Sequence, residues 1–158
     1  MFGVDLSTGG IAKAKCRYPN ISFVEGSVYG DFTSICGVEA FDAIVAIEVI
    51  EHLYSPKQFV SRAYSALIPG GLLIITTPYW GYMKNILLAV SGRMDRALTA
   101  LWEGGHIKHW SHKTLRCLLE TRGFQYENFH GVGRLPYCWS GMVMIARKPT
   151  GSAVPVEG

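Results

Sequence analysis

The sequence predicts an α/β fold with a mostly parallel sheet, and three observations lead to this prediction. Short apolar runs alternate along the chain with segments whose apolar residues recur at helical spacing. One run, Asp42–Ile47, is apolar on both faces after its leading aspartate, which is typical of parallel strands covered by helices. The last two runs, Phe124–His130 and Met142–Ala146, are joined by a single loop, so we expect an antiparallel closing pair.

The composition fits one domain with a substantial core. Of the 158 residues, 49% are hydrophobic and 17% are charged, against roughly 25% charged in an average domain. The apolar runs stay far below the roughly 18 residues that a membrane span needs. The four cysteines are widely spaced without a paired motif, which predicts free thiols in a reducing compartment, the cytoplasm.

Charge is distributed unevenly between the two parts of the chain. Residues 1–60 carry 4 Lys+Arg and 7 Asp+Glu, whereas residues 61–158 carry 11 and 5. The basic part either meets an anionic substrate or membrane surface, or is a solvated basic face. No dense Lys/Arg cluster occurs, so we expect no nucleic-acid partner.

The first elements are short. Phe2–Leu6 predicts a buried strand, after which Ser7 or Thr8 caps a helix that runs toward Lys15. A second short strand is predicted at Ile21–Val24. The strand at Asp42–Ile47 follows and completes the first part of the sheet.

The middle of the chain predicts a helix, a strand and a helical insertion. Apolar residues recur at helical spacing over Pro56–Leu67, and Pro69–Gly71 ends this helix. Leu72–Thr76 is the next strand. Residues 79–102 predict two helical pieces broken at Ser91-Gly92, which we interpret as a lid.

The last helix and the tail complete the assignment. Lys113–Glu120 is helical, with Ser111 as its cap and Gly123 at its end. Residues 149–158 contain two prolines and few large apolar residues, so we predict a disordered tail. The prediction is therefore one domain over residues 1–148 with a lid at residues 79–102.

Polar residues that follow the strands are candidates for ligand binding, because open α/β sheets bind ligands beyond the carboxyl ends of their strands. Asp5 ends the first strand and can accept hydrogen bonds from both hydroxyls of a ribose, or it can cap the next helix. Gly26–Val28 ends the second strand and can flank a flat heterocycle, or it can form a plain turn.

Two further segments combine acids and histidines. After the third strand, Glu48, Glu51 and His52 lie close enough in sequence to hold a divalent cation or to transfer protons. In the alternative interpretation, His52 packs and Glu51 caps a helix. Three histidines follow within residues 106–112, and their spacing does not fix which of them points inward.

The order of these motifs resembles the class I S-adenosylmethionine-dependent methyltransferases of the type 11/12 kind, from the second strand of that family onward. The resemblance covers residues 2–148. The segments that carry it are Gly3–Ser7, Phe41–Leu53, Leu67–Tyr79, Gly104–Phe124 and Gly141–Pro149. It implies a Rossmann-like sheet with an antiparallel last strand and S-adenosylmethionine as the cofactor.

The resemblance also implies roles for individual residues. In this family, the acid after the second strand holds the cofactor ribose. The residues after the third strand border the adenine, and those after the fourth strand line the methionine end of the cofactor. The residues implied to bind the cofactor are Asp5, Leu6, Ser27, Val28, Ile47 and Glu48. The residues implied to face the acceptor are Tyr79, Trp80 and Trp110.

A narrower resemblance concerns the pattern Glu-x-x-Glu-His with a later histidine. It is similar to metal-assisted members, including ubiquinone-biosynthesis and small-RNA 2′-O-methyltransferases. This implies a divalent metal ion held by Glu48, Glu51, His52 and His106. It also implies that His52 and His106 are catalytic residues that ease loss of a hydroxyl proton.

The family's first strand and its glycine-rich turn have no counterpart here, because Met1 stands almost immediately before the strand at Phe2–Leu6. In the family that strand lies at the centre of the sheet, so we expect an N-terminally truncated domain. The sequence leaves open whether this chain alone is active.

The resemblance implies methyl transfer, to oxygen, on a small-molecule, glycan or lipid-linked acceptor. The apolar and basic residues of the lid, 79–102, suit peripheral membrane contact, or they simply close over the core. The alternative function is a non-catalytic fragment or binding module, because the glycine-rich cofactor motif is absent.

Overall fold

The computed structural model describes residues 1–98 and 100–151, which form six strands, six α-helices and one 3-10 helix. The strands are β1 (Phe2–Asp5), β2 (Ser22–Glu25), β3 (Phe41–Ile47), β4 (Leu67–Pro78), β5 (Gln125–Val132) and β6 (Gly141–Arg147). The α-helices are α1 (Thr8–Arg17), α2 (Phe32–Cys36), α3 (Pro56–Ala66), α4 (Tyr82–Val90), α5 (Met94–Leu98) and α6 (His112–Glu120). The 3-10 helix spans Ile50–His52.

The strands pair as two sheets. β1 and β2 form a parallel pair, and the other sheet has the order β3-β4-β6-β5. β3 and β4 are parallel, and β6 runs antiparallel to both of its neighbours. The α/β prediction, with a mostly parallel sheet and an antiparallel last strand, is therefore confirmed.

Helix capping explains where α1 and α6 begin. The Ser7 side chain accepts a hydrogen bond from the Gly10 amide at 3.0 Å. Ser111 and Thr114 form a reciprocal capping box at the start of α6. Gly123 follows α6 with a φ of +91°, a conformation that favours glycine.

The start of β4 differs from the prediction. The strand was expected to begin at Leu72, but it already pairs at Leu67, which lies opposite Phe41. The register then moves to Ala43 opposite Leu72, so Pro69–Gly71 lies in a bulge within the strand. Proline and glycine therefore interrupt the strand pairing here as well as ending the helix.

Among the described residues, helices cover one face of the larger sheet. Apolar residues of α3 and α6 pack on one face, against alternating residues such as Leu73 and Met144. On the other face Val45 is 55% and Ile47 is 68% exposed. The prediction that this strand is buried on both faces is wrong for this chain, because no helix of the described residues packs on that side of β3.

The predicted break within residues 79–102 is confirmed, since α4 and α5 are separated by Gly92 at a φ of +65°. Within residues 1–98 and 100–151, no helix is both long enough and apolar enough to cross a membrane. The tail predicted to be disordered lies largely in residues 152–158, which are outside the described residues.

Candidate active site at the carboxyl edge of the sheet

The candidate site begins where β3 ends. Glu48 follows this strand with a φ of +51°, which is uncommon for a residue other than glycine. Its amide donates to the Thr76 carbonyl oxygen at 3.1 Å, and Thr76 Oγ1 donates to Glu48 Oε1 at 2.9 Å. These bonds to β4 hold the turn that carries the chain into the 3-10 helix.

Glu51 is a buried acid at this edge. Its side chain is 0% exposed, and Thr77 Oγ1 donates to Oε2 at 3.0 Å. The other oxygen, Oε1, has no hydrogen-bond partner among the described residues. Burial raises the pKa of Glu51 above its ordinary value, and the charge of Glu48 raises it further. A buried carboxylate oxygen without a partner is a group that a proton or a bound cation would satisfy.

Two histidines complete the cluster. The rings of His52 and His106 lie 5.0 Å apart between centroids. One ligand atom from each of Glu51, His52 and His106 lies within 4.8 Å of the others. The structure therefore brings together three of the four residues implied as metal ligands, and Glu48 lies outside this group.

Backbone hydrogen bonds fix the loop that carries His106. The amides of Ile107 and Lys108 both donate to the Glu51 carbonyl oxygen at 2.9 Å. His52 Nδ1 lies 3.3 Å from the Gly105 carbonyl oxygen. The 3-10 helix and the histidine loop are thus one connected unit, although 53 residues separate His52 from Gly105.

The structure also shows which of the three clustered histidines points toward the acids. His109 packs edge-on against Trp80 with centroids 4.3 Å apart, and His112 lies 3.3 Å from the Tyr126 hydroxyl. Burial lowers the pKa of His106, and the charges of His52 and His109 lower it further. This shift favours the unprotonated form of His106, which is the form that accepts a proton or binds a metal.

A cavity of about 350 Å³ opens beside this cluster. It is lined by His52, Tyr54, Leu98, Ala100, Trp102, Gly104, Gly105, His106 and Ile107. The Trp102 ring lies 6.3 Å from His52 and 5.7 Å from His106 between centroids. Sequence reasoning gave no site role to Tyr54 or Trp102. For Tyr54, its position two residues after His52 could have indicated that it lies at the site.

The residues implied on the cofactor side lie at the ends of β1, β2 and β3. Asp5 is exposed, and its Oδ1 accepts a hydrogen bond from the Ser7 amide at 2.7 Å. Ser27 Oγ accepts from the Tyr29 amide at 3.2 Å, and Val28 packs against the core. Leu6 and Ile47 are both exposed. These positions match the ligand edge of an α/β sheet, and the individual cofactor roles stay predictions.

The residues implied on the acceptor side are more buried. Tyr79 is 7% exposed and packs edge-on against Trp139 at 5.3 Å between centroids. The Trp110 indole donates to the Ile50 carbonyl oxygen at 3.4 Å, while the Trp80 indole nitrogen has no partner among the described residues. The cavity is lined by other side chains, so contact of these three residues with an acceptor stays a prediction.

The burial of Glu51 predicts how stability depends on pH. Because the pKa of Glu51 is raised in the folded state, folding favours its protonated form. With chelator present, we expect the free energy of unfolding to fall as pH rises from about 4.5, the ordinary value, through the raised pKa. Glu51→Gln should flatten this slope in urea unfolding, whereas Glu39→Gln, at an exposed position, should not. An unchanged slope in Glu51→Gln would contradict the assignment.

The sequence of this chain is similar to those of known methyltransferases. Residues 1–128 match a family model described as a methyltransferase domain. The chain is 31% identical over 137 residues to a probable S-adenosylmethionine-dependent methyltransferase of Mycolicibacterium smegmatis, covering 84% of this chain and 48% of that protein. It is 34% identical over 104 residues to the mitochondrial ubiquinone biosynthesis O-methyltransferase of Rattus norvegicus, covering 63% and 29%. The chain thus spans less than half the length of these two curated relatives.

Solved structures share the fold. A putative methyltransferase of Haloferax volcanii, in complex with the Trm112 activator, superposes with a TM-score of 0.73 at 13% identity, covering 97% of this chain and 73% of that one. The magnesium protoporphyrin IX methyltransferase of Synechocystis with bound S-adenosylhomocysteine gives 0.65 at 14% identity, covering 93% and 63%.

A Rossmann-like sheet with polar residues gathered beyond its strand ends defines a protein class that binds nucleotide-like ligands at that edge. Together with the match over residues 1–128, this shows that the chain belongs to the class I S-adenosylmethionine-dependent methyltransferase family.

Proposed function

We propose that this chain carries the acceptor side of a site that transfers a methyl group from S-adenosylmethionine to a hydroxyl oxygen. The proposed acceptor is a small molecule, a glycan or a lipid-linked compound. The observation that carries the proposal is the cluster of Glu51, His52 and His106 beside the cavity. The ubiquinone biosynthesis O-methyltransferases among the relatives support an oxygen acceptor.

Methyl transfer to a hydroxyl oxygen requires that the methyl donor and the acceptor are aligned and that the hydroxyl loses its proton. S-adenosylmethionine would supply the methyl group from its sulfonium: the acceptor oxygen would bond to the methyl carbon in line with the carbon–sulfur bond, which would break and leave a neutral thioether. Holding the two reactants in this line is the main task of the protein. The hydroxyl proton passes to an unprotonated imidazole nitrogen, and the lowered pKa of His106 supports this role.

A divalent cation at the same cluster is the second candidate, and the partnerless Oε1 of Glu51 favours it. Glu51, His52 and His106 offer one carboxylate and two imidazoles, a donor set that suits first-row divalent metals. A bound cation would act as a Lewis acid that lowers the pKa of an acceptor hydroxyl.

Direct metal binding tests this candidate without any need for activity. We expect titration calorimetry with Zn²⁺ or Mn²⁺ to show one site, which Glu51→Gln and His106→Ala each weaken by about tenfold or more. His130→Ala, at an exposed position on β5, is the matched control. Equal binding by Glu51→Gln and the unsubstituted chain would remove the metal hypothesis.

We propose further that the cofactor half is complete only when one more strand lies between β1 and β3, as in an N-terminally truncated domain. The two strands belong to separate sheets among the described residues, although the Phe2 and Phe41 rings approach to 6.2 Å. β3 is the outermost strand of its sheet, so one of its edges is unpaired among the described residues, which supports the same interpretation. A strand at that position would lead into a glycine-rich turn, which would bring the backbone close to the cofactor.

Cofactor titration tests this completion. We expect the chain alone to bind S-adenosylmethionine at best in the millimolar range. A fusion that places a designed strand, Gly-x-Gly turn and helix before Met1 should bind in the micromolar range. Micromolar binding by the chain alone would contradict the need for the strand. Failure of a folded fusion to bind would favour the non-catalytic module.

The proposed compartment is the cytoplasm. Cys16, Cys36, Cys117 and Cys138 are all free thiols in the structure, which supports a reducing environment.

A further inference from the structure

Thr77 places a hydroxyl in a row of apolar side chains on β4. Leu73 and Ile75 precede it at every second position, so the three side chains share the helix-covered face of the sheet, and each residue is 0% exposed. A valine has nearly the same shape as threonine and would continue the row without a polar atom. A buried hydroxyl costs free energy unless it is hydrogen-bonded. The role of Thr77 therefore depends on the group to which it donates.

The group that accepts this hydrogen bond is the Glu51 carboxyl. Thr77 Oγ1 donates to Oε2 at 3.0 Å, while Oε1 has no hydrogen-bond partner among the described residues. A contact that served only to stabilise the core would satisfy both oxygens, because a half-satisfied buried carboxyl is costly. The hydrogen bond instead occupies one oxygen and leaves the other open.

His52 is held in a similar way, by a backbone oxygen. Its Nδ1 lies 3.3 Å from the Gly105 carbonyl oxygen, which can only accept a hydrogen bond. In the neutral ring the hydrogen therefore belongs on Nδ1 and the lone pair on Nε2. Histidines that bind metals commonly donate their other ring N–H to a carbonyl oxygen in this manner. Glu51 and His52 thus each have one atom that is held and one that is open.

We propose that Thr77 is a positioning residue of this site, whose hydroxyl holds the Glu51 carboxyl so that Oε1 stays open beside the two imidazoles. The inference rests on the proposed function and adds a residue to which that function gave no role. Thr77 ties the cluster to the interior of the sheet, since β4 is paired on both sides, with β3 and β6. Without this hydroxyl, the Glu51 carboxyl is free to turn toward His52 or His106, whose ligand atoms lie within 4.8 Å.

Zinc titration of four chains tests this role. We expect Thr77→Val to weaken Zn²⁺ binding in calorimetry by about tenfold or more, and Thr77→Ser to stay within about threefold of the unsubstituted chain. The serine variant keeps the hydroxyl and the valine variant keeps the volume, so the comparison separates the hydrogen bond from packing. Thr121→Val removes a hydroxyl bond to the Leu118 carbonyl oxygen at the end of α6, and this matched control should bind normally.

A second readout needs no metal. NMR of the imidazole nitrogens in metal-free protein with isotopically labelled histidine reports the tautomer and surroundings of His52 and His106. We expect the unsubstituted chain and Thr77→Ser to show His52 with its hydrogen on Nδ1. In Thr77→Val the signals of His52 or His106 should shift, because the freed Glu51 carboxyl reaches one of these rings.

Circular dichroism first establishes that each variant is folded, and Thr77→Ala replaces Thr77→Val, with the same expectation, if the valine variant does not fold. Unchanged Zn²⁺ affinity without the hydroxyl would overturn the positioning role, as would an equal loss in Thr77→Ser. If the unsubstituted chain binds no Zn²⁺, the metal candidate of the proposed function fails and the imidazole signals decide. A shift in Thr77→Val alone then supports the role of Thr77, and unchanged signals overturn it.

Discussion

Replacing His106 with alanine is expected to lower kcat for methyl transfer by about 10²–10⁴-fold, the usual contribution of a general base. The KM for the acceptor should change much less, because the other residues that line the cavity stay in place. The measurement uses the fusion with the completing strand, labelled S-adenosylmethionine and a hydroxylated acceptor that turns over. His130→Ala should retain normal kcat.

The pH profile gives the same residue a second test. A base must be unprotonated, so kcat should fall as the pH drops through the pKa of His106. Because burial and neighbouring histidines lower that pKa, the acidic limb should lie below the ordinary histidine value of 6.5. An unchanged kcat in His106→Ala, or an acidic limb that persists in that variant, would contradict the base role.

Replacing Leu119 with alanine is expected to lower the free energy of unfolding by about 2–5 kcal/mol. Leu119 is fully buried on α6, where it belongs to the core that also contains Leu73 and Met144. Its removal leaves a cavity between the helix and the sheet. The total free energy of unfolding of a native protein is roughly 5–15 kcal/mol, so this loss is a large share of the stability.

Urea unfolding followed by circular dichroism measures this loss as a shift of the midpoint at unchanged slope. The matched control is Leu87→Ala on α4, a leucine at an exposed helical position. That change should cost less than about 0.5 kcal/mol. Equal losses at the two leucines would show that α6 does not pack as the structure describes.

The elements set by local chemistry were predictable from the sequence. Ser7 and Ser111 cap their helices through their own side chains, and the single loop before β6 makes the closing pair antiparallel. Helix α2 was missed because it has only five residues. Its signals were nevertheless present, in the Asp31 cap and in Gly37 at a φ of +67°.

Features that depend on distant parts of the chain were not predictable. The early start of β4 requires Leu67 to pair with Phe41, which no local pattern encodes. Adjacency in sequence suggested that Glu48 and Glu51 act together. The backbone turn at Glu48 instead places its carboxylate on Thr76, whereas Glu51 turns into the core toward Thr77. Periodicity likewise showed that α4 has an apolar side, but not that this side faces solvent.

We propose that the carboxyl edge of the sheet binds the methyl donor next to the Glu51–His52–His106 cluster. Titration of S-adenosylhomocysteine into the isotopically labelled fusion protein, followed by NMR of the backbone amides, tests this most directly. We expect saturable shifts at the amides of Asp5, Ser27 and Glu48, with smaller shifts at His52. Binding that shifts none of these amides, or that shifts only residues on other surfaces, would contradict it.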